Sequence, residues 1–385
     1  MKKTLPILSI SFRPFFILAA LIAVVNPVAW ILNYQGHLSL PLTNVSPMFW
    51  HGHEMIFGFS GALIAGFILT ASANWTSSSP YSGGPLLFLI SLWLLERISY
   101  FLPLNESMLF FTMNLFFPTL TIMLLIKLLN FPKQKYVFIP ILMILTIAKF
   151  SHSWGNLFSH DLIEVSGRHT ATSIIRLIVL LIAGRVTPFF TRKKIEGVEI
   201  TLPAWINPVS LIPIALLVVP WPESTPRTFL ALVYLVAILG NITRQLMWKP
   251  HKTIKVPILF ILHIGIALIN LSLIQEFVGL FNENMYFAKA NLHMLMTGGL
   301  GTVAMGIMSR VSLGHTGRVI EADKTVVLAY FCVIFGALLR VVTPLFFPDS
   351  YIESLYFSSS IWALGFLIFI IRFWGVLTGP RPDGK

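Results

Sequence analysis

Apolar runs about as long as a bilayer is thick follow one another from end to end of this chain, and that pattern decides its class. A helix needs about 20 mostly apolar residues to cross the hydrocarbon core. With Pro, Gly and polar clusters as punctuation, the sequence gives about twelve predicted spans: 12–32, 48–73, 84–104, 107–129, 136–158, 172–191, 205–221, 227–248, 254–277, 287–311, 324–346 and 352–376. The seventh is the weakest, being cut by Pro208, Pro213 and Pro220. No soluble domain fits between the spans, so 1–385 reads as a single transmembrane domain, an all-α polytopic helix bundle. No repeat of fixed period is visible, although six plus six spans would fit. Charged residues make up 11% of the chain, against about 25% in soluble domains. A water-soluble fold is therefore excluded, and the abundance of Phe, Leu and Ile excludes disorder.

The net charge of +12 does not indicate nucleic acid. Lys and Arg sit mostly in short loops between apolar runs, as membrane orientation requires, and no nucleic-acid-binding motif accompanies them. With the N-terminus inside, the cytoplasmic ends hold 20 of the 27 Lys and Arg, from Lys2, Lys3 and Arg13 to Arg372, Arg381 and Lys385. Both termini are therefore expected in the cytoplasm. The loop 74–83 is the exception, with no basic residue. The first apolar run leads into further spans without an A-x-A site, so it is expected to be retained rather than cleaved. Cys332 is the sole cysteine. That excludes intramolecular disulfides, Cys-ligated iron–sulfur clusters and C-x-x-C-H haem attachment.

Topology sorts the ten histidines. His51, His53, His152, His169 and His293 fall in the outer third of their spans or at the outer rim, and His263 lies nearer the middle of the ninth. Ionisable groups inside a membrane are costly and mark function, and packing alone has no reason to place five at a shared depth. The set is read as a metal or haem site. In the second span, Trp50-His51-Gly52-His53-Glu54-Met55 puts His51 and Glu54 on one helical face and turns His53 away. The two imidazoles suggest two sites, or one ligand and its supporting partner. Glu54 is a candidate to orient a ligand histidine or carry protons.

Small residues follow on two of these spans: Gly58, Gly61, Ala62, Ala65 and Gly66 after His53, and Gly298, Gly299, Gly301, Ala304 and Gly306 after His293. They permit close helix contact and leave room for a flat macrocycle. Lys149 and His152 stand three apart on the fifth span, and Arg168-His169 opens the sixth, which also carries Arg176. Lys149, Arg168 and Arg176 are candidates to pair haem propionates or a bound anion. Lys149 joins Glu54 as a catalytic candidate. Imidazole suits haem iron, copper and zinc. Without useful thiolates, haem b held by histidines fits best, with copper on further histidines. The assignment is His51, His53 and His293 for haem and His152, His169 and His263 for copper. Zinc hydrolase chemistry is disfavoured because H-E-x-x-H is missing.

Several blocks carry a family resemblance: Ser11-Phe12-Arg13-Pro14-Phe15-Phe16, Trp50 to Gly58, Ala65 to Thr70 with Asn74-Trp75-Thr76, Gly184 to Phe190, His293-Met294-Leu295 to Gly299, and Ser309 to Arg318. In these the chain resembles the NnrS family. The resemblance implies a polytopic, multi-pass protein of the bacterial inner membrane that contains haem and copper and acts in the response to nitric oxide. A weaker analogy is to the central subunit of haem–copper oxidases and nitric oxide reductases, which has twelve spans and haem ligands on the second and tenth. This chain offers His51 or His53, and His293, on those spans. It lacks H-x-H on the tenth and an adjacent His pair on any, so the analogy stays at the level of fold.

The expected function is thus a haem- and copper-binding membrane protein of nitrosative stress tolerance, with nitric oxide bound or turned over at a haem near the outer face. The alternatives are a respiratory oxidoreductase subunit with quinol as electron donor, and a proton- or metal-coupled secondary transporter. Of the unassigned blocks, Arg310, His315 and Arg318 read as a lock on helix ends and lipid phosphates, and Gly184 to Pro188 as a helix end at proline.

Overall fold

Within lipid, each backbone N–H and C=O must find its partner inside the chain, which helices achieve. The computed structural model of the protein describes residues 5–282 and 285–382, and among these residues there is no strand. Lys2, Lys3, Lys385 and the side chain of Lys289, all part of the charge pattern, lie outside what is described.

Helix α1 is Phe12–Tyr34. Helix α2 (Pro47–His53) runs through a wide π turn, Glu54–Phe59, into α3 (Ser60–Thr76). Next come α4 (Gly83–Ser99), α5 (Glu106–Met113), α6 (Phe116–Leu128), α7 (Pro132–Leu157) and α8 (Asp161–Lys194). The second half holds α9 (Ile206–Leu216), α10 (Arg227–Met247) and α11 (Pro257–Gly279). Helix α12 (Met285–His293) passes through a second π turn, Met294–Leu300, into α13 (Gly301–His315), and α14 (Lys324–Phe346) and α15 (Tyr351–Thr378) complete the chain.

Ten helical stretches among the described residues are long and apolar enough to cross a membrane. The chain is therefore a polytopic membrane protein. The third and seventh predicted spans are shorter: α4 has 17 residues and α9 has 11. Helix α9 contains Pro213 and stops at Leu216, in keeping with its proline-cut sequence. Helix α8 differs from its predicted bounds in both directions. It starts at Asp161, with Asp161 and Glu164 in the first turn and Arg192, Lys193 and Lys194 in the last, the charge order that a helix dipole favours. It also continues through Pro188, so the segment from Gly184 to Pro188 is not a helix end.

The helices group into two compact units: Met1–Thr172 with Val311–Arg318 and Ile370–Lys385, and Ser173–Arg310 with Val319–Phe369. In the first unit α1 lies against α3 at Gly66, where an added Cβ would stand 3.1 Å from Phe15 and Phe16. The Phe12 N–H, left over at the start of α1, donates to Thr70 Oγ1 at 3.2 Å. Arg13 donates through Nη1 to the carbonyls of Leu377 (3.1 Å) and Gly379 (2.6 Å), covering the end of α15. Arg381 donates to the carbonyl of His315 at the end of α13, and the His315 ring meets Phe12. Three of the segments that carry the family resemblance, Ser11 to Phe16, Ala65 to Thr70 and Ser309 to Arg318, thus take part in contacts that cover helix ends.

In the second unit α11 and α13 approach closely at Gly265 and Gly306, where added Cβ atoms would come within 2.6 Å of Val303 and 2.7 Å of Ile261. Gly184 has a different neighbour. The guanidinium of buried Arg244 occupies the place where a side chain at 184 would stand, with its Nη2 donating to the Leu180 carbonyl at 2.7 Å. Arg310 lies 3.6 Å above the Phe190 ring, a cation–π contact that explains both residues structurally.

Candidate functional site

The first unit encloses a charged cluster that apolar helices would not hold without reason. His53 ends α2, Glu54 opens the π turn, Glu96 and Arg97 lie on α4, and Lys149 and His152 on α7. His53, Glu54, Glu96 and Lys149 are fully buried, and His152 is buried. Glu96 is the centre. Its Oε1 accepts from His53 Nε2 at 2.9 Å and from Lys149 Nζ at 2.5 Å, and its Oε2 accepts from Arg97 Nη1 at 2.8 Å. Arg97 also donates through Nε to Glu54 Oε2 at 2.9 Å. Two carboxylates face two cations, so the charges balance with His53 neutral. Such a network is tolerated in low dielectric only because every charge is paired.

These contacts fix the imidazole tautomers. A carboxylate can only accept, so His53 carries its proton on Nε2 and presents a lone pair at Nδ1. His152 Nδ1 faces the Glu164 carbonyl at 3.3 Å and the Glu164 carboxylate at 3.4 Å, which places its lone pair on Nε2. Neither His53 Nδ1 nor His152 Nε2 has a partner among the described residues. The two rings stack 5.5 Å apart at 17°. Phe49 stacks on His152 at 4.8 Å, and Phe57 meets His53 at 4.8 Å. The result is two buried imidazoles among aromatic rings, each tied to an acceptor at one nitrogen and bare at the other. Metal-ligating histidines are held in this way. Among the described residues no group of three or more His, Cys, Asp or Glu converges, so the protein supplies two nitrogens here.

The remaining candidates are dispersed. His51 turns from His53 to Asn26, whose Oδ1 accepts from its Nδ1 at 2.7 Å, and stacks on Trp30. His169 is half-buried on α8. In the second unit, His263 lies in α11 beside Trp248, ring to ring at 6.4 Å, and neither ring nitrogen has a partner among the described residues. His293 is half-buried and directly precedes the second π turn. Of the groups expected to pair an anion, Arg176 is held in a two-pronged ion pair by Glu276, with Nη1 to Oε2 at 2.7 Å. Lys149 is committed to Glu96, and Arg168 is partly exposed beside Glu164 at 3.9 Å. The residue that orients His53 is Glu96 rather than Glu54. Glu96 and Arg97 were missed in the sequence, although an adjacent Glu-Arg inside an apolar run is itself a mark of function.

The sequence matches the description of the NnrS family, "NnrS protein", over residues 6–381, nearly the whole chain. The chain belongs to the NnrS family. No curated protein matches it. Its NnrS segments now divide by role: Ser11 to Phe16 and Gly314 to Arg318 fasten helix ends, and the segment from Trp50 to Gly58 contributes His53 and Glu54 to the buried cluster.

Proposed function

We propose that this NnrS-family protein binds haem b and copper through its membrane-buried histidines and acts in the nitric oxide response of the bacterial inner membrane. The observation that carries the reading is the pair His53 and His152, each with one nitrogen tied to an acceptor and the other a bare buried lone pair. That donor set fits imidazole-ligated iron or copper. His53 and His152 are the proposed metal ligands in the first unit and His293 in the second, with His51, His169 and His263 as further candidates. Haem iron, when bound, supplies coordination of nitric oxide and one-electron exchange, and copper supplies a second one-electron centre.

The chain's own residues give the site its character. Glu96 and Glu164 fix the ring orientations of His53 and His152. Arg97 and Lys149 balance the carboxylates, so that a cation bound beside them adds its charge to a neutral surrounding. Phe49 and Phe57 close the rings off from water. A small uncharged gas such as nitric oxide dissolves in lipid and reaches such a site without a polar channel.

The test is optical spectroscopy and metal analysis of the purified protein beside His53→Ala, His152→Ala, His293→Ala and His51→Ala. The reading expects a Soret band and bound copper in the wild type, with loss of one or both from the His53 and His152 variants. Wild-type protein with neither iron nor copper ends the reading. Full metal content in both variants removes these two residues from it.

A further inference from the structure

The two units contain the same element twice. His53, Gly58, Gly61 and Gly66 recur as His293, Gly298, Gly301 and Gly306, an H-x4-G-x2-G-x4-G pattern whose copies stand 240 residues apart. The repeat is not visible as a fixed period in the sequence, because few residues besides the histidine and the glycines agree. The structure makes them equivalent. In both copies a π turn begins at the residue after the histidine. In both, the preceding long helix packs on the third glycine: Phe15 and Phe16 on Gly66, Ile261 and Leu262 on Gly306. An aromatic ring from a later helix covers the second glycine, so that an added Cβ would stand 3.0 Å from Phe117 in one copy and from Trp362 in the other. In both, a tryptophan indole donates to a carbonyl of the π turn at 3.2 Å, Trp93 to Gly58 and Trp362 to Thr297.

The copies differ at one chemically decisive position. After His53 comes Glu54, whose carboxylate folds back over Gly58 and pairs with Arg97 on the next helix. After His293 comes Met294, whose sulfur folds back over Gly298 in the same way. The next helix there, α14, also carries an arginine, Arg340. Its neighbours Leu338, Val341 and Leu345 pack with Ala290 and Met294. Arg97 has a second carboxylate in Glu96, whereas the residue before Arg340 is Leu339. Arg340 is only 8% exposed, lies 5.7 Å from the Tyr351 ring and has the Tyr351 hydroxyl as a hydrogen-bond partner, but no carboxylate among the described residues pairs with it. A buried guanidinium without an anion is expensive.

We propose that Arg340 binds the carboxylate of a ligand, which supplies to Arg340 the negative charge that Glu54 and Glu96 supply to Arg97. The ligand is either a small free carboxylate or the propionate of a porphyrin cofactor. The second source rests on the haem reading above, and the first does not.

Wild type, Arg340→Gln and Met294→Glu are purified in detergent and compared by two readouts. One is the shift in melting temperature with sodium acetate at constant ionic strength. The other is the ratio of affinities for haem and for its dimethyl ester. M294E rebuilds the internal carboxylate, so it tests the site even where R340Q folds poorly. An acetate-dependent rise in wild type that disappears in both variants supports a free carboxylate, including where no haem binds and the haem reading fails. A preference of about 10- to 100-fold for haem over its ester, lost in the variants, supports the propionate. Wild-type protein indifferent in both readouts overturns the proposal, and so does any response that survives both substitutions, even if haem is bound.

Discussion

Glu96 Oε1 accepts from His53 Nε2 at 2.9 Å and from Lys149 Nζ at 2.5 Å. A single carboxylate oxygen therefore both orients a candidate ligand and neutralises a buried ammonium, which ties metal binding to the stability of the fold.

Glu96→Gln strands Lys149 in the interior. Breaking a buried pair on one side costs about 3–5 kcal/mol, so E96Q is expected to melt well below the wild type and to lose metal as His53 loses its anchor. The double variant E96Q/K149M should recover a large part of the melting temperature without recovering metal. Additive losses in a double-mutant cycle would show that the pair is not coupled.

Arg176 is held by Glu276 through two prongs. Arg176→Gln should reduce thermal stability, and Glu276→Gln should do so to a similar extent, both by about 3–5 kcal/mol. Neither is expected to move a haem absorption band. A Soret shift specific to R176Q would restore the propionate role that its sequence position suggested.

Arg13 holds two carbonyls at the end of α15. Hydrogen bonds from a charged donor contribute about 1.5–3 kcal/mol each. Arg13→Gln should therefore lower the melting temperature and expose the C-terminal residues to carboxypeptidase, with metal content unchanged. Protease resistance equal to wild type would remove the clasp.

At Gly184 an added Cβ would stand 1.6 Å from Arg244 Nη2. Gly184→Ala is thus expected to destabilise strongly in the wild-type background and hardly at all in an Arg244→Met background. Melting curves of the four proteins decide it, and an equal cost in both backgrounds would mean the guanidinium is not the obstacle.

Much of this molecule can be read from its apolar runs. Polytopic membrane architecture follows from them, and so do most helix positions, since in lipid almost nothing else satisfies the backbone. The separation of His51 from His53 also follows from helical geometry. Glu96 and Arg97 escaped notice because the span containing them looks ordinary apart from one ion-pairing dipeptide. The hold of Glu96 on residues 43 and 53 positions away leaves no local pattern. The clasp of Arg13 on the Leu377 carbonyl crosses 364 residues and is equally silent. The repeat was hidden for another reason: its shared residues are mostly glycines, conserved in place by close packing while every side chain around them changed.

A π turn holds one residue more than the α turn it replaces. In Glu54–Phe59 and again in Met294–Leu300, the wide turn takes up that surplus residue and so sets the angular phase between the histidine before it and the glycine ridge after it. Wound as ordinary α-helix, the same residues would swing the imidazole by about 100° around the axis relative to the ridge. Each unit therefore keeps its histidine aimed by widening a single turn.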